Sequence, residues 1–405
     1  MKILFYDKQI YWNCPKYSHQ LLDYLIERGH DVLVVTGNEA SAISSPSRVL
    51  EEKIGLTFKE LYKNYNHIEI NSLFPLKMII QKYSPSVFLC NFAIIGFGRR
   101  AVELAKKMNV NVVEMDTIAS EIMLYGSDWY KDWFRFHPRS IIYYLKSRIR
   151  DIQILMGFDL KHKTELVNFN LKLIADSLCV KGLFFKKYID FNKRRGTNSD
   201  KIKVTGSLFI DYIQNIIPDK KYLAKKYSID FSLPIIIIAP NPIKVYLKNR
   251  AKSENFLVNV LRKIKTEMEV NIIINLHPSD RLKYPERFDE LNIYKSDSKD
   301  FYSLLKLSTC VVSSRSTIGL ETASASAPIL IDESETPQLD FNYYQDNLRV
   351  GVPIKLSNVC TIIKSIVNEE EKFNFNEFNN HYTNGNDGLA YHRITEQIET
   401  VGNKV

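Results

Sequence analysis

Short runs of consecutive apolar residues alternate along the chain with stretches of helical period. KILFY (2–6) reads as a strand, YSHQLLDYLIERG (17–29) as an amphipathic helix stopped at Gly29, and DVLVVTG (31–37) as a second strand. SVFLCNF (86–92), GRRAVELAKKM (98–108) and VNVVEMD (110–116) repeat the unit. The second half restarts it with PIIIIAP (234–240), a helix near 253–268, VNIIINLHP (270–278), DFYSLLKL (300–307), STCVVSS (308–314), a helix from about Thr317, and APILID (327–332). Strands that are apolar throughout, rather than at alternate positions, are buried on both faces. That predicts parallel pairing and doubly wound sheets.

The fold class expected is therefore α/β, with two tandem Rossmann-like domains. The first covers 1–215 and the second 230–385, with the boundary between VTGSLFIDYI (204–213) and Pro234, where a helix and a short connection intervene. The segment 386–405 contains GLAYHRITEQIETV (388–401), a helical pattern able to cross back to the first domain. A length of 405 residues agrees with two domains of ordinary size.

Composition narrows the class without naming it. Apolar content of 45% and charged content of 25% are those of a globular protein, and neither disorder nor a fibrous architecture is indicated. Five scattered cysteines, Cys14, Cys90, Cys179, Cys310 and Cys360, form no C-x-x-C pair and read as reduced thiols of a cytoplasmic protein. MKILFYDKQI is too short in apolar residues for a secretory leader, and no apolar stretch approaches the ~18 residues of a membrane span.

The net charge of +9 is concentrated. Residues 131–203 hold 17 Lys or Arg against 7 Asp or Glu, so the rest of the chain is near neutral. Part of this excess lies in a segment at 117–172 that breaks the strand–helix alternation, where SDWYKDWFRFHPRSIIYYLKSRIR sets two of three tryptophans among Arg, Lys and Tyr. One reading is a helical layer over the first sheet with solvated charges. The other is a surface for anionic lipid, since amphipathic rings settle at headgroup depth while cations meet lipid phosphate. No nucleic-acid recognition motif accompanies the basic residues, so nucleic acid is not expected as a partner.

Candidate chemistry sits where strands end. In open parallel sheets, ligands bind beyond the carboxyl ends of the strands. Asn275, His277 and Pro278 stand at such an end; Pro278 stops the strand and fixes the exit of His277. The second strand tip is SSRST, with Ser313, Ser314, Arg315, Ser316 and Thr317 leading into a helix whose free N–H groups and hydroxyls suit an anion. Glu321, a turn further on, is placed to accept hydrogen bonds from ribose hydroxyls. Each piece also has an ordinary explanation: Ser and Thr cap helices, and His-Pro makes structural turns. Together, in neighbouring strand–helix units of one domain, they suggest a phosphate-binding site.

NLHPSD followed by DFYSLLKLSTCVVSSRSTIGLETASASAPILI resembles the donor half of GT-B glycosyltransferases of surface polysaccharides, namely sialyl- and Kdo-transferases with HP and SS/ST motifs and teichoic-acid glycerophosphotransferases. The resemblance covers about 200–335. It implies that His277 contacts the donor phosphate and assists the leaving nucleotide, with Ser313, Ser314, Ser316 and Thr317 holding the same phosphate or the nucleotide. VTGSLFIDYI also looks like a turn shared with UDP-GlcNAc 2-epimerases, but the epimerase His-Glu-Ala-Gly-Leu-Arg signature is absent and SSRS replaces Ser-Gly-Gly.

Transfer to a hydroxyl needs a base. The resembling sialyltransferases use an acidic pair followed by Gly. The counterpart here is VVEMDT (112–117), in which Glu114 and Asp116 share a strand face but Met115 separates them and no Gly follows. Asp116, at the tip, is the preferred base, against a reading as an N-cap; Glu121 and Asp128 are substitutes. His137, in FRFHPRS, follows no apolar strand and reads as peripheral. No D-x-D or clustered His or Cys is present, so no cofactor or divalent metal is expected. The function expected is transfer of a sugar from a CMP- or UDP-linked donor to a surface glycan or lipid-linked acceptor, by a cytoplasmic protein bound peripherally to an anionic membrane face. A sugar-nucleotide 2-epimerase and a non-catalytic glycan- or nucleotide-binding protein are the alternatives.

Overall fold

The computed structural model describes residues 1–7, 16–37, 56–70, 73–91, 96–115, 174–186, 199–240, 250–276, 294–297, 299–313, 318–332 and 346–403. These fall into two compact units: those up to Leu208 with those from Leu389 onward, and Phe209–Gly388.

The first unit runs β1 (Lys2–Asp7), α1 (His19–Glu27), β2 (Asp31–Gly37), α2 (Phe58–Leu61), β3 (Asn66–Ile70), α3 (Leu73–Tyr83), β4 (Val87–Asn91), α4 (Gly96–Lys107), β5 (Asn111–Met115), β6 (Ser177–Val180) and β7 (Ile202–Val204). Its strands pair in parallel in the order β3-β2-β1-β4-β5-β6-β7. The central strands β1 and β4 are buried along nearly their whole length, as unbroken apolar runs require. β3 at the edge exposes most of NHIEI, and its polar composition follows from having one neighbour only. α2 is fixed by a capping box: Thr57 Oγ1 accepts from Glu60 N at 3.1 Å while Glu60 Oε2 accepts from Thr57 N at 2.7 Å.

The second unit continues with α5 (Leu208–Asn215), α6 (Lys220–Tyr227), β8 (Ile235–Ala239), α7 (Arg250–Glu267), β9 (Asn271–Ile274), β10 (Tyr294–Lys295), α8 (Phe301–Leu307), β11 (Cys310–Ser313), α9 (Ile318–Ser324), β12 (Ile329–Asp332), β13 (Gly351–Ile354), α10 (Val359–Val367) and α11 (Phe375–Tyr382). The sheet order is β10-β9-β8-β11-β12-β13, again parallel throughout. Its core joins Ile236, Ile238, Ile274, Val312, Leu330 and Ile354 of the sheet to Leu261 and Ile264 of α7 and Ile363 of α10. Sheet order and burial together explain the IIII run: every residue of β8 is buried.

The last helix, α12 (Ala390–Gly402), packs in the first unit against α1, β4, β5 and β6. Arg28 grips Glu399 with two nitrogens, at 3.2 and 2.9 Å, and His30 Nε2 lies 3.0 Å from the same carboxylate. Arg393 Nε donates to Thr205 O at 2.7 Å. The split after Leu208 leaves nearly all of α5 in the second unit, and residues 389–403 in the first.

Candidate active site

Both sheets share one topology. In each, the first strand is flanked by the second on one side and the fourth on the other, so the chain reverses its direction of travel between β1 and β4 and between β8 and β11. Crevices at such reversal points are where doubly wound sheets bind ligands.

In the second unit, Ser313 closes β11 beside Ala239 of β8, and its Oγ donates to Ala239 O at 2.7 Å. Asn275 follows β9; its N–H donates to Ile238 O at 2.8 Å, and its Oδ1 accepts from Ser296 Oγ at 2.7 Å. Both side chains are buried, so each is held in a fixed position at the sheet's carboxyl edge. His277 and Pro278 follow Asn275, and Ser314, Arg315, Ser316 and Thr317 follow Ser313; these six lie outside the described residues, as does Asp116. The two tips were expected in neighbouring strand–helix units, but β10 intervenes between them in the chain, and they are not adjacent in the sheet either. β8 lies between them, which sets β9 and β11 about 10 Å apart at the usual strand spacing. That spacing suits a group seated over the end of β8 with one connection on either side.

The helix after the serines, α9, has only seven residues, so its dipole is short and hydroxyl and Arg chemistry would have to do more of the work on an anion. Glu321 on α9 is buried, and its Oε2 accepts from Tyr302 Oη of α8 at 3.0 Å. Phe209 and Tyr212 of α5 pack edge-on to the Tyr302 ring at 5.3 and 6.2 Å.

In the first unit, Glu114 lies wholly inside β5, opposite Cys90 of β4 and Leu178 of β6. It has no exposed surface, and Asp116 is the first acid beyond the strand's end at Met115. Sequence reading missed a different group at this edge. Asp7 ends β1 and Asn91 ends β4, directly on the reversal point. Asp7 Oδ1 accepts from Asn91 Nδ2 at 3.1 Å and Tyr17 Oη at 3.3 Å, and Oδ2 accepts a short bond from Tyr62 Oη. Asn91 Nδ2 also donates to Tyr17 Oη at 2.7 Å. Burial, then the Asp7 charge, push the Tyr62 phenol well above its ordinary pKa. The His19 ring lies tilted against Tyr62 and edge-on to Tyr65, with ring centres at 5.6 and 5.2 Å; burial and the Lys16 charge push its pKa down to about 4, against a smaller upward pull from Asp23. The available signal was a lone polar residue closing an apolar run in both KILFYD and VFLCN.

No protein-family model and no curated protein matches the sequence. Solved structures do match along its whole length. A putative UDP-N-acetylglucosamine 2-epimerase of Listeria monocytogenes is similar at 13% identity and TM-score 0.62, covering 100% of this chain and 98% of its own. The wall teichoic acid polymerase TagF is similar at 13% identity and TM-score 0.60, covering 100% of this chain and 89% of its own. The fold is GT-B. A third similar GT-B structure, S. aureus MnaA solved with UDP, aligns at 15% identity and TM-score 0.58 over 100% of this chain and 97% of its own.

Among the described residues no three His, Cys, Asp or Glu side chains gather at a metal-binding distance. Cys90, Cys179, Cys310 and Cys360 are buried free thiols; burial pushes Cys179 and Cys310 up to about 12, which keeps them protonated and inert. No helix among the described residues is long and apolar enough to cross a membrane.

Proposed function

We propose that this chain is a GT-B glycosyltransferase that moves a sugar from a CMP- or UDP-linked donor to a surface glycan or lipid-linked acceptor, without a divalent metal. The observation that carries the reading is the placement of Asn275 and Ser313 on either side of β8, at the reversal point of the second sheet. The connections bearing His277 and the 314–317 hydroxyls start from those two residues. Similarity to structures solved with UDP, with UDP-GlcNAc and with CDPG supports a nucleotide-linked substrate.

In this reading His277 and Arg315 neutralise the charge that develops on the departing nucleotide, while Ser313, Ser314, Ser316, Thr317, Asn275 and Pro278 shape the donor phosphate site and Glu321 meets the ribose. Asp116 accepts the proton of the acceptor hydroxyl. The basic excess at 131–203 faces an anionic membrane on the cytoplasmic side. Vesicle binding that weakens with salt supports that last point, and no binding to anionic vesicles at low salt refutes it.

The deciding experiment is nucleotide release from a donor panel with and without acceptor. His277→Ala is expected to lower transfer by at least about a hundredfold with the fold intact, and EDTA to leave the wild-type rate unchanged. An unchanged rate in His277→Ala removes His277 from the mechanism. The whole-length match to 2-epimerases is the observation favouring the second reading. Conversion of UDP-GlcNAc with no acceptor present would establish that reading in place of transfer.

A further inference from the structure

Asn275 is anchored by one arm of its amide. The residue is 6% exposed, and the one bond its side chain makes among the described residues is Oδ1 accepting from Ser296 Oγ. Because β9 lies between β10 and β8, Ser296 meets that carbonyl from the β10 side. The NH2 is the other arm of the planar group and is turned from β10, with two donors to offer. Ser296 is itself firmly held. It is 7% exposed, and its N–H extends the β9–β10 ladder to Ile274 O at 2.9 Å. Asp297 and Asp300, between β10 and α8, are strapped to α6. Asp297 N donates to Tyr227 Oη at 2.9 Å, and Asp300 Oδ2 accepts from Lys226 Nζ at 2.5 Å, Tyr227 Oη at 2.8 Å and Tyr222 Oη at 3.2 Å. Asp is a common helix cap, yet the Asp300 carboxylate makes no cap bond to α8 and turns to α6 instead. Its bonds fix the residues beside Ser296 rather than a helix end.

We infer that Ser296 is a positioning residue: by occupying the Asn275 carbonyl it makes the amide present N–H to the ligand, which selects an acceptor-only group, the donor phosphate. The inference rests on the reading that a nucleotide-linked substrate sits over the end of β8. An amide free to turn offers its oxygen as readily as its nitrogen, and an ionised phosphate can only accept, so one of the two orientations repels it. Ser296 favours the other. N–H bonds to phosphate also polarise the amide and make its carbonyl a better acceptor, so the Ser296 bond and the ligand bonds strengthen one another. Ser313, at the neighbouring tip, cannot take this part while its hydrogen is committed to Ala239 O at 2.7 Å. Tyr227 and Asp300 act one step further back, by holding the chain on which Ser296 stands.

The test is calorimetric binding of UDP, CMP, uridine and cytidine to the full chain. A nucleotide is expected to bind the wild type more tightly than its nucleoside, and that margin is the quantity read. Ser296→Ala should cut the margin by about tenfold or more, the loss of one hydrogen bond to a charged group, with nucleoside affinity unchanged. Ser296→Thr, which keeps the hydroxyl, should restore it. An undiminished margin in Ser296→Ala overturns the inference, and so does an equal loss of nucleotide and nucleoside affinity, the mark of disturbed packing. Both results leave the donor half of the proposed function standing. If Ser296→Ala does not fold, Tyr227→Phe takes its place, since it removes the hydroxyl joining Asp297 to Asp300 without touching the amide. It should narrow the margin about threefold, the loss of a weaker, indirect hold, and no narrowing overturns the inference. Failure of the folded wild type to bind either nucleotide sinks the donor reading, and the inference falls with it.

Discussion

Gly206 sits in the turn after β7 at φ +88°, where an added Cβ would come 3.0 Å from Ala390 Cβ and 3.2 Å from Arg393 Nη2. Two penalties coincide there, left-handed backbone and a crowded neighbour on α12. Gly206→Ala should therefore destabilise the first unit by about 1–3 kcal/mol, read as a lower urea midpoint with unchanged slope. His19 gives a pH signature. Its folded pKa of about 4 lies below the ordinary 6.5, so the unfolded chain takes up the proton first. Stability contributed by the neutral ring is intact above about 6.5, falls as pH drops from there, and is lost in full below about 4. His19→Phe, which keeps a ring against Tyr62 and Tyr65, should flatten that limb of the stability curve; parallel curves for variant and wild type would show that His19 is not its source. Asn275 and Ser313 could be placed at strand ends from the sequence because a motif flanks each. Asp7 and Asn91 could not, because one polar residue ending an apolar run looks like any turn until the sheet order sets β1 beside β4.

Elements were legible where an unbroken apolar run marked them, and buried β6 (SLCV) and β13 (GVPI), each interrupted by a polar or turn-forming residue, were not read. β1, β4, β8 and β11 are apolar throughout because both faces are covered, and their sequences say so. The edge strands β3 and β10 were silent: NHIEI mixes polar and apolar positions, and β10 is two exposed residues. The amphipathic pattern of α12 was visible, but only the structure shows which surface it covers. Its Ile394, Ile398 and Val401 are almost fully buried, each worth about 1.5–3 kcal/mol against exposure. Removing residues 389–405 should leave the first unit unable to fold cooperatively, while Glu399→Ala, which breaks the Arg28 and His30 contacts, should only hasten proteolysis of the helix. Equal far-UV signal and equal urea midpoint for the truncated chain would refute this.

At the scale of the whole molecule, the alternation of strand and helix foretold two doubly wound sheets, and the solved GT-B structures of similar fold agree. What one chain cannot display in its periodicity is sheet order, since long-range pairing depends on which crossovers pass over which face. Each unit has its own core, so denaturation should show two transitions. A nucleotide ligand should raise only the one belonging to Phe209–Gly388, by an amount that grows with the logarithm of its concentration; equal displacement of both would place the nucleotide elsewhere.

The return of α12 also bears on how the protein is made. The half encoded in the middle holds all of its own elements by Gly388, whereas the half that opens the chain needs Ala390–Gly402 to close it, so only the middle half is complete once residue 388 has cleared the ribosome. In a chain ending at residue 388 and held on the ribosome by an unstructured tether long enough to clear the exit tunnel, the later-made half should resist protease and the earlier-made half should not.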